Sequence, residues 1–124
     1  MSAFLPDEHA TPLLDRGLID DIKRLERATG RDDVLAGFVR MLEGNLAGFG
    51  AAFSDCIARG DTAGAKRAAH TLKGACHQIG AKALGELFAA IERSVQAGDP
   101  VEAQRRFDAG ASLIVQSLEA LKSA

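Results

Sequence analysis

The chain has no tryptophan and no tyrosine, and its only aromatic residues are six phenylalanines. That poverty disfavours a sheet protein, whose strands draw on aromatic and β-branched residues. It also leaves no aromatic platform on which nucleic-acid bases would stack. Cysteine is scarce as well. Cys56 and Cys76 are the only two, and their spacing fits neither a C-x-x-C motif nor a metal-ligand set, so they read as small core residues in a reducing compartment rather than as a disulfide. No charge of either sign dominates: 15 Lys+Arg stand against 17 Asp+Glu, a net charge of −2. Such a balance gives no global reason to expect nucleic acid or an anionic membrane as partner. No window approaches the roughly 18 consecutive apolar residues of a membrane span. The opening stretch "MSAFLPDEHATP" lacks the basic and apolar regions of a secretory signal, so a soluble, cytoplasmic protein is expected.

What remains is helix. At 124 residues the chain fits one domain with a real hydrophobic core, and we read residues 1–12 as a flexible leader and residues 13–124 as a single helical domain. Glycine punctuates it, with expected helix stops at Gly30, Gly60, Gly80 and Gly98. Asp61 is a plausible N-cap. "DPVE" at 99–102 sets an acceptor at the cap, Pro100 at the first helical position and Glu102 at the third, a variant of the capping box.

Between these stops the apolar residues recur at helical spacing. Leu14, Leu18, Ile22 and Leu25 line a short first helix, and Leu35, Phe38, Leu42, Leu46, Phe49, Phe53 and Ile57 a second. Leu84, Leu87, Phe88, Ile91 and Val95 line a fourth, and Phe107, Ala111, Ile114, Leu118 and Leu121 a fifth. Short connections force antiparallel neighbours, so the expected fold is all-α: an up-down-up-down four-helix bundle with an additional short N-terminal helix across one end or side. The second helix carries Gly37, Gly44, Gly48 and Gly50, each costing about 0.5–1 kcal/mol relative to Ala, so packing must hold it and a kink is admissible.

The third helix carries the chemistry. "RAAHTLKGACHQIGA", Arg67 to Ala81, contains two of the chain's three histidines, His70 and His77. At about 100° per residue, Ala65, Ala68, Ala69, Leu72, Ala75, Cys76 and Ile79 gather on the side away from His70 and form the core face. Lys66, Arg67, Lys73, Gly74 and His77 lie within about 60° of His70. His70 therefore points outward, on a surface with three fixed positive charges and no carboxylate. Lys66 and Lys73 sit one turn to either side, where an anion on the imidazole would meet ammonium donors. Gly74, costly in mid-helix, reads as clearance for a partner docking on His70. The two histidines are about 10.5 Å apart along the helix axis, too far to share a metal ion as an i,i+4 pair does. No nucleophile elbow, Walker motif or glycine-rich phosphate loop is present, and the basic surroundings offer no local carboxylate to orient His70. His77, followed by Gly80 and Ala81 instead of a lysine, reads as a surface or rim residue, with a role at the docking surface as the alternative.

"AHTLKGACHQIGAKALGELFAAIE", Ala69 to Glu92, resembles the histidine phosphotransfer (HPt) domains of multistep two-component signalling, whose signature is approximately A-H-x-L-K-G-x-x-x-x-[IVL]-G-A-x-x-L with a later L-E. The match covers His70, Leu72, Lys73, Gly74, Ile79, Gly80, Ala81, Leu84 and Glu92. It departs at "ACHQ", where the family commonly has small residues. The resemblance implies that His70 is the phosphoacceptor through Nε2, that Lys73 neutralises and orients the phosphoryl group, and that Gly74 leaves room for a receiver domain. Lys66, Arg67 and His77 then belong to the binding surface. It further implies a carrier with no ATP site and no cofactor of its own, the Mg²⁺ being held by the partner receiver. The implied partners are receiver domains of response regulators and hybrid histidine kinases, with the protein itself a monomer. The rival readings are a helical adaptor that binds a receiver without transfer, and the C-terminal segment of a hybrid sensor kinase. A kinase dimerisation domain fits less well, because Thr71 stands where such domains carry an acidic residue.

Overall fold

The computed structural model describes residues 11–124. The proposed leader therefore lies outside the described residues, apart from exposed Thr11 and Pro12. The described residues form six helices and no strand: α1 (Arg16–Thr29), α2 (Val34–Ala58), α3 (Thr62–Ile79), α4 (Lys82–Gln96), α5 (Pro100–Ala109) and α6 (Ala111–Lys122). None is long and apolar enough to cross a membrane.

The four expected stops all carry glycine with a positive φ, between 69° and 85°. Gly80 shows why this matters for the tertiary fold. Its left-handed backbone ends α3, its carbonyl accepts the Asp15 amide at 2.8 Å, and Ile19 packs where a Cβ would stand. The start of α1 is thereby tied to the end of α3. Asp61 and Asp99 cap α3 and α5 through the amides of Gly64 and Glu102. The capping box at Asp99 is only half made, however, because the Glu102 carboxylate turns to Arg105 and Arg106 instead of reaching back.

The centre of the bundle is aromatic. Phe49 of α2 lies 5.0 Å, ring centre to ring centre, from each of Phe53, Phe88 and Phe107, joining α2, α4 and α5. Burial of such rings is worth a few kcal/mol each. α3 presents Ala65, Ala69, Leu72, Cys76 and Ile79 to this core, and α4 presents Leu84, Phe88, Ile91 and Val95, all buried. The alanines permit close approach.

The structure corrects the helix pattern in three places. The expected fifth helix is two, broken at buried Gly110, where a Cβ would come 2.5 Å from Leu87 Cδ2. Leu25 and Phe38, assigned to core stripes, are 52% and 42% exposed, while Ile19, off the expected stripe, is buried. The glycine-rich α2 runs as unbroken helix for 25 residues. Its glycines are not all packing devices: a Cβ at Gly50 would come 3.3 Å from the Phe107 ring, but one at Gly44 or Gly48 would meet nothing within 4 Å.

Candidate functional site

His70 sits midway along α3, opposite the core stripe, and its side chain is 64% exposed. The outward orientation expected from the helical wheel is therefore observed. Gly74, one turn later, faces open space: an added Cβ would meet no atom within 4 Å. Close packing within this chain does not account for that glycine. Lys66 is half-buried and Arg67 exposed, and neither pairs with a carboxylate of any described residue.

The absence of a local carboxylate is overturned. Glu92 of α4 approaches from across the helix pair, with Oε2 at 3.0 Å from His70 Nδ1 and Oε1 at 2.9 Å from Lys73 Nζ. The wheel of α3 alone could not contain it. Glu92 stands beside the buried stripe of α4, next to Ile91, and antiparallel packing of α3 and α4 brings it over His70. Its side chain is only 12% exposed. Burial pushes this carboxyl up, but hydrogen bonds and charge attraction from Lys73 and His70 outweigh it and hold the group below its ordinary range. Glu92 is therefore an anion with both oxygens engaged.

A signal for this arrangement was present. His70 and Glu92 each lie eleven residues from Ala81, the turn between α3 and α4, so counting outward from the turn pairs them. The same register pairs His77 with Gly85. A Cβ on Gly85 would come 2.7 Å from the His77 ring, and His77 Nε2 lies 3.8 Å from Glu86 Oε2. His77 is thus a half-exposed residue of the α3–α4 seam, one turn beyond Lys73.

The contact fixes the chemistry of the imidazole. An ionised carboxylate only accepts, so Nδ1 must carry the hydrogen. In the neutral ring, Nε2 then holds the lone pair and is the nucleophilic atom. Lys73 is held at the same carboxylate, partly exposed, where its ammonium can serve an anion arriving at Nε2.

Beside this site, α2 and α3 enclose a groove of about 510 Å³ lined by Phe38, Met41, Leu42, Asn45, Ala75, Gln78 and Ile79. On α3 the groove is lined by Ala75, Gln78 and Ile79, which follow Gly74 in the chain. Met41 is 65% exposed at its edge. An apolar docking patch drawn from exposed residues of the first helix and the early second helix is what the sequence suggests, but its periodicity assigned Phe38 to the core stripe.

A family model described as Hpt domain matches residues 16–124. Neither the curated proteins nor the solved structures include a significant match to the chain.

Proposed function

The chain belongs to the Hpt domain family, whose members carry phosphoryl groups on a histidine in phosphorelays, and on that premise we propose that His70 is the acceptor in a relay between two receiver domains. The observation that carries the assignment is the His70 Nδ1 contact with Glu92 on an exposed imidazole beside Lys73. It leaves Nε2 free, basic and facing outward.

In this reading a receiver bearing a phosphoaspartate docks over α3 and Nε2 attacks phosphorus in line. The acyl-phosphate bond breaks toward the partner's aspartate. Phosphoryl transfer needs positioning and charge more than covalent machinery. The partner's Mg²⁺ supplies most of the charge stabilisation, and Lys73 adds a cation on the acceptor side. This chain acts as nucleophile and carrier, without an ATP site or cofactor of its own. Gly74 gives the clearance that lets the receiver's active site close on the ring.

Docking extends from Gly74 along the α2–α3 groove, with Phe38 and Met41 as apolar anchors. Lys66 and Arg67 form a basic rim that attracts an acidic partner surface, and His77 lies at its edge. A second receiver later removes the group from the same face. The accompanying architecture is an up-down-up-down arrangement of α2, α3, α4 and the α5–α6 arm, with α1 as the additional helix, in a monomeric cytoplasmic protein.

The test is phosphotransfer from pre-phosphorylated receivers and hybrid kinases to the wild type and to His70→Gln, with the lability of the label measured. Acid-labile, alkali-stable label on the wild type and none on the variant is expected. No label from any receiver in a broad panel, with both proteins folded, would replace the carrier by a non-transferring adaptor.

A further inference from the structure

Glu92 binds His70 and Lys73 through different oxygens of one carboxylate, and that arrangement bears on what happens to the ring proton when phosphate arrives. The inference rests on the phosphotransfer reading above. When the Nε2 lone pair forms the N–P bond, the P–O electron pair leaves with the partner's aspartate, and the ring, still carrying its Nδ1 hydrogen, becomes a phosphorylated imidazolium. In the return step the N–P electron pair goes back to Nε2 and regenerates the same neutral tautomer. Neither direction consumes or releases a proton, provided that Nδ1–H stays in place. If it is lost to water between the two steps, the ring must be reprotonated before it can leave, because imidazolate is a poor leaving group.

We propose that Glu92 keeps the Nδ1 proton on His70 through both directions of transfer, so that phosphoryl exchange needs no proton exchange with water. At 3.0 Å the contact becomes a charge-assisted hydrogen bond once the ring is cationic. Lys73 on the opposite oxygen keeps the carboxylate ionised, so Glu92 stabilises the proton without taking it. The other charged or titratable residues on the outward face of α3 are Lys66, Arg67 and, one turn past Lys73, His77, and Arg93 follows Glu92 on α4. The separate α2–α3 cleft that reaches Arg67 is lined on α2 by Asn45, Gly48, Ala52 and Cys56 and includes Asp61, the cap of α3. Lys66, Arg67, Lys73 and Arg93 are cations. Glu92 is the anion that opposes them at contact distance.

Glu92 is a positioning residue in this scheme, and its charge can be separated from its geometry. Glu92→Gln retains an acceptor oxygen for Nδ1–H and loses the charge; Glu92→Ala loses both. The protein is loaded with phosphoramidate, and transfer from it to one receiver is followed from about pH 6 to about pH 9, the range over which a histidine ring exchanges its proton. The rate ratio of wild type to Glu92→Gln, with the receiver's own pH response cancelled, is expected to grow by up to about tenfold per pH unit on the alkaline side. A ratio that stays flat would reduce Glu92 to a steric support and overturn the proposal. In parallel, ¹⁵N spectra of the phosphoramidate-loaded ring need no receiver. A Nδ1 proton retained by the wild type across the range and lost by Glu92→Gln supports the proposal, and its loss from the wild type near neutrality overturns it. Absence of transfer from wild type to any receiver would instead refute the relay, with the spectra still deciding the fate of the proton.

Discussion

At the scale of single residues, stability and function pull apart at Gly74. A side chain there meets nothing within 4 Å, so Gly74→Ala should stabilise the protein by about 0.5–1 kcal/mol through helix propensity alone. Gly74→Gln should also raise helicity. Under the proposed docking mode both extend from the open face of α3 one turn after His70, so transfer should fall modestly for Ala and severely for Gln. Urea unfolding and transfer kinetics on the same samples check this, and undiminished transfer to Gly74→Gln would remove the clearance role. Glu92 illustrates the opposite case, a residue whose importance comes from its partners. On α4 it is one of two acids, with Glu86, and only the packing of α3 against α4 makes it the group that sets the tautomer of His70.

At the scale of the elements, glycines that look alike in the sequence have opposite consequences. Gly44 and Gly48 lie in α2 with open space where a side chain would be, whereas Gly110 between α5 and α6 is buried with Leu87 Cδ2 2.5 Å from its missing Cβ. Alanine at Gly44 and at Gly48 should each add about 0.5–1 kcal/mol. The same change at Gly110 should cost about 1–3 kcal/mol by overpacking, with Leu87 forced to move. Denaturant midpoints of the three single variants test the contrast, and a stabilising Gly110→Ala would mean that the break is not sterically required. The periodicity of residues 100–122 reads as one helix because apolar spacing records only which face turns inward. It contains nothing about how near another helix comes to the backbone.

At the scale of the whole molecule, Cys76 reports on the integrity of the core. Burial pushes its thiol from 9.0 up to about 12, and the residue is fully buried. Between those two values the unfolded chain gives up a proton that the folded protein keeps, so this group's contribution to stability is complete below about pH 9 and lost as the pH rises. The wild type should lose up to about 1.4 kcal/mol more per pH unit than Cys76→Ala over that window. Urea unfolding at alkaline pH measures the difference, and parallel slopes would show that Cys76 is more open to solvent than its packing implies.

Much of the fold was legible in the sequence because its signals are local. The glycines at 30, 60, 80 and 98 need a left-handed backbone, and the apolar stripes of α3 and α4 need one buried face. The exposed His70, with Lys73 and Gly74 on its face, follows from helical arithmetic within one element. Tertiary packing decided the rest. It brought Glu92 onto His70 and Lys73, split the last helix where Leu87 meets the backbone, and left Phe38 at a groove instead of in the core. Each of those outcomes depends on the separation between two helices, which the side-chain periodicity of neither one specifies.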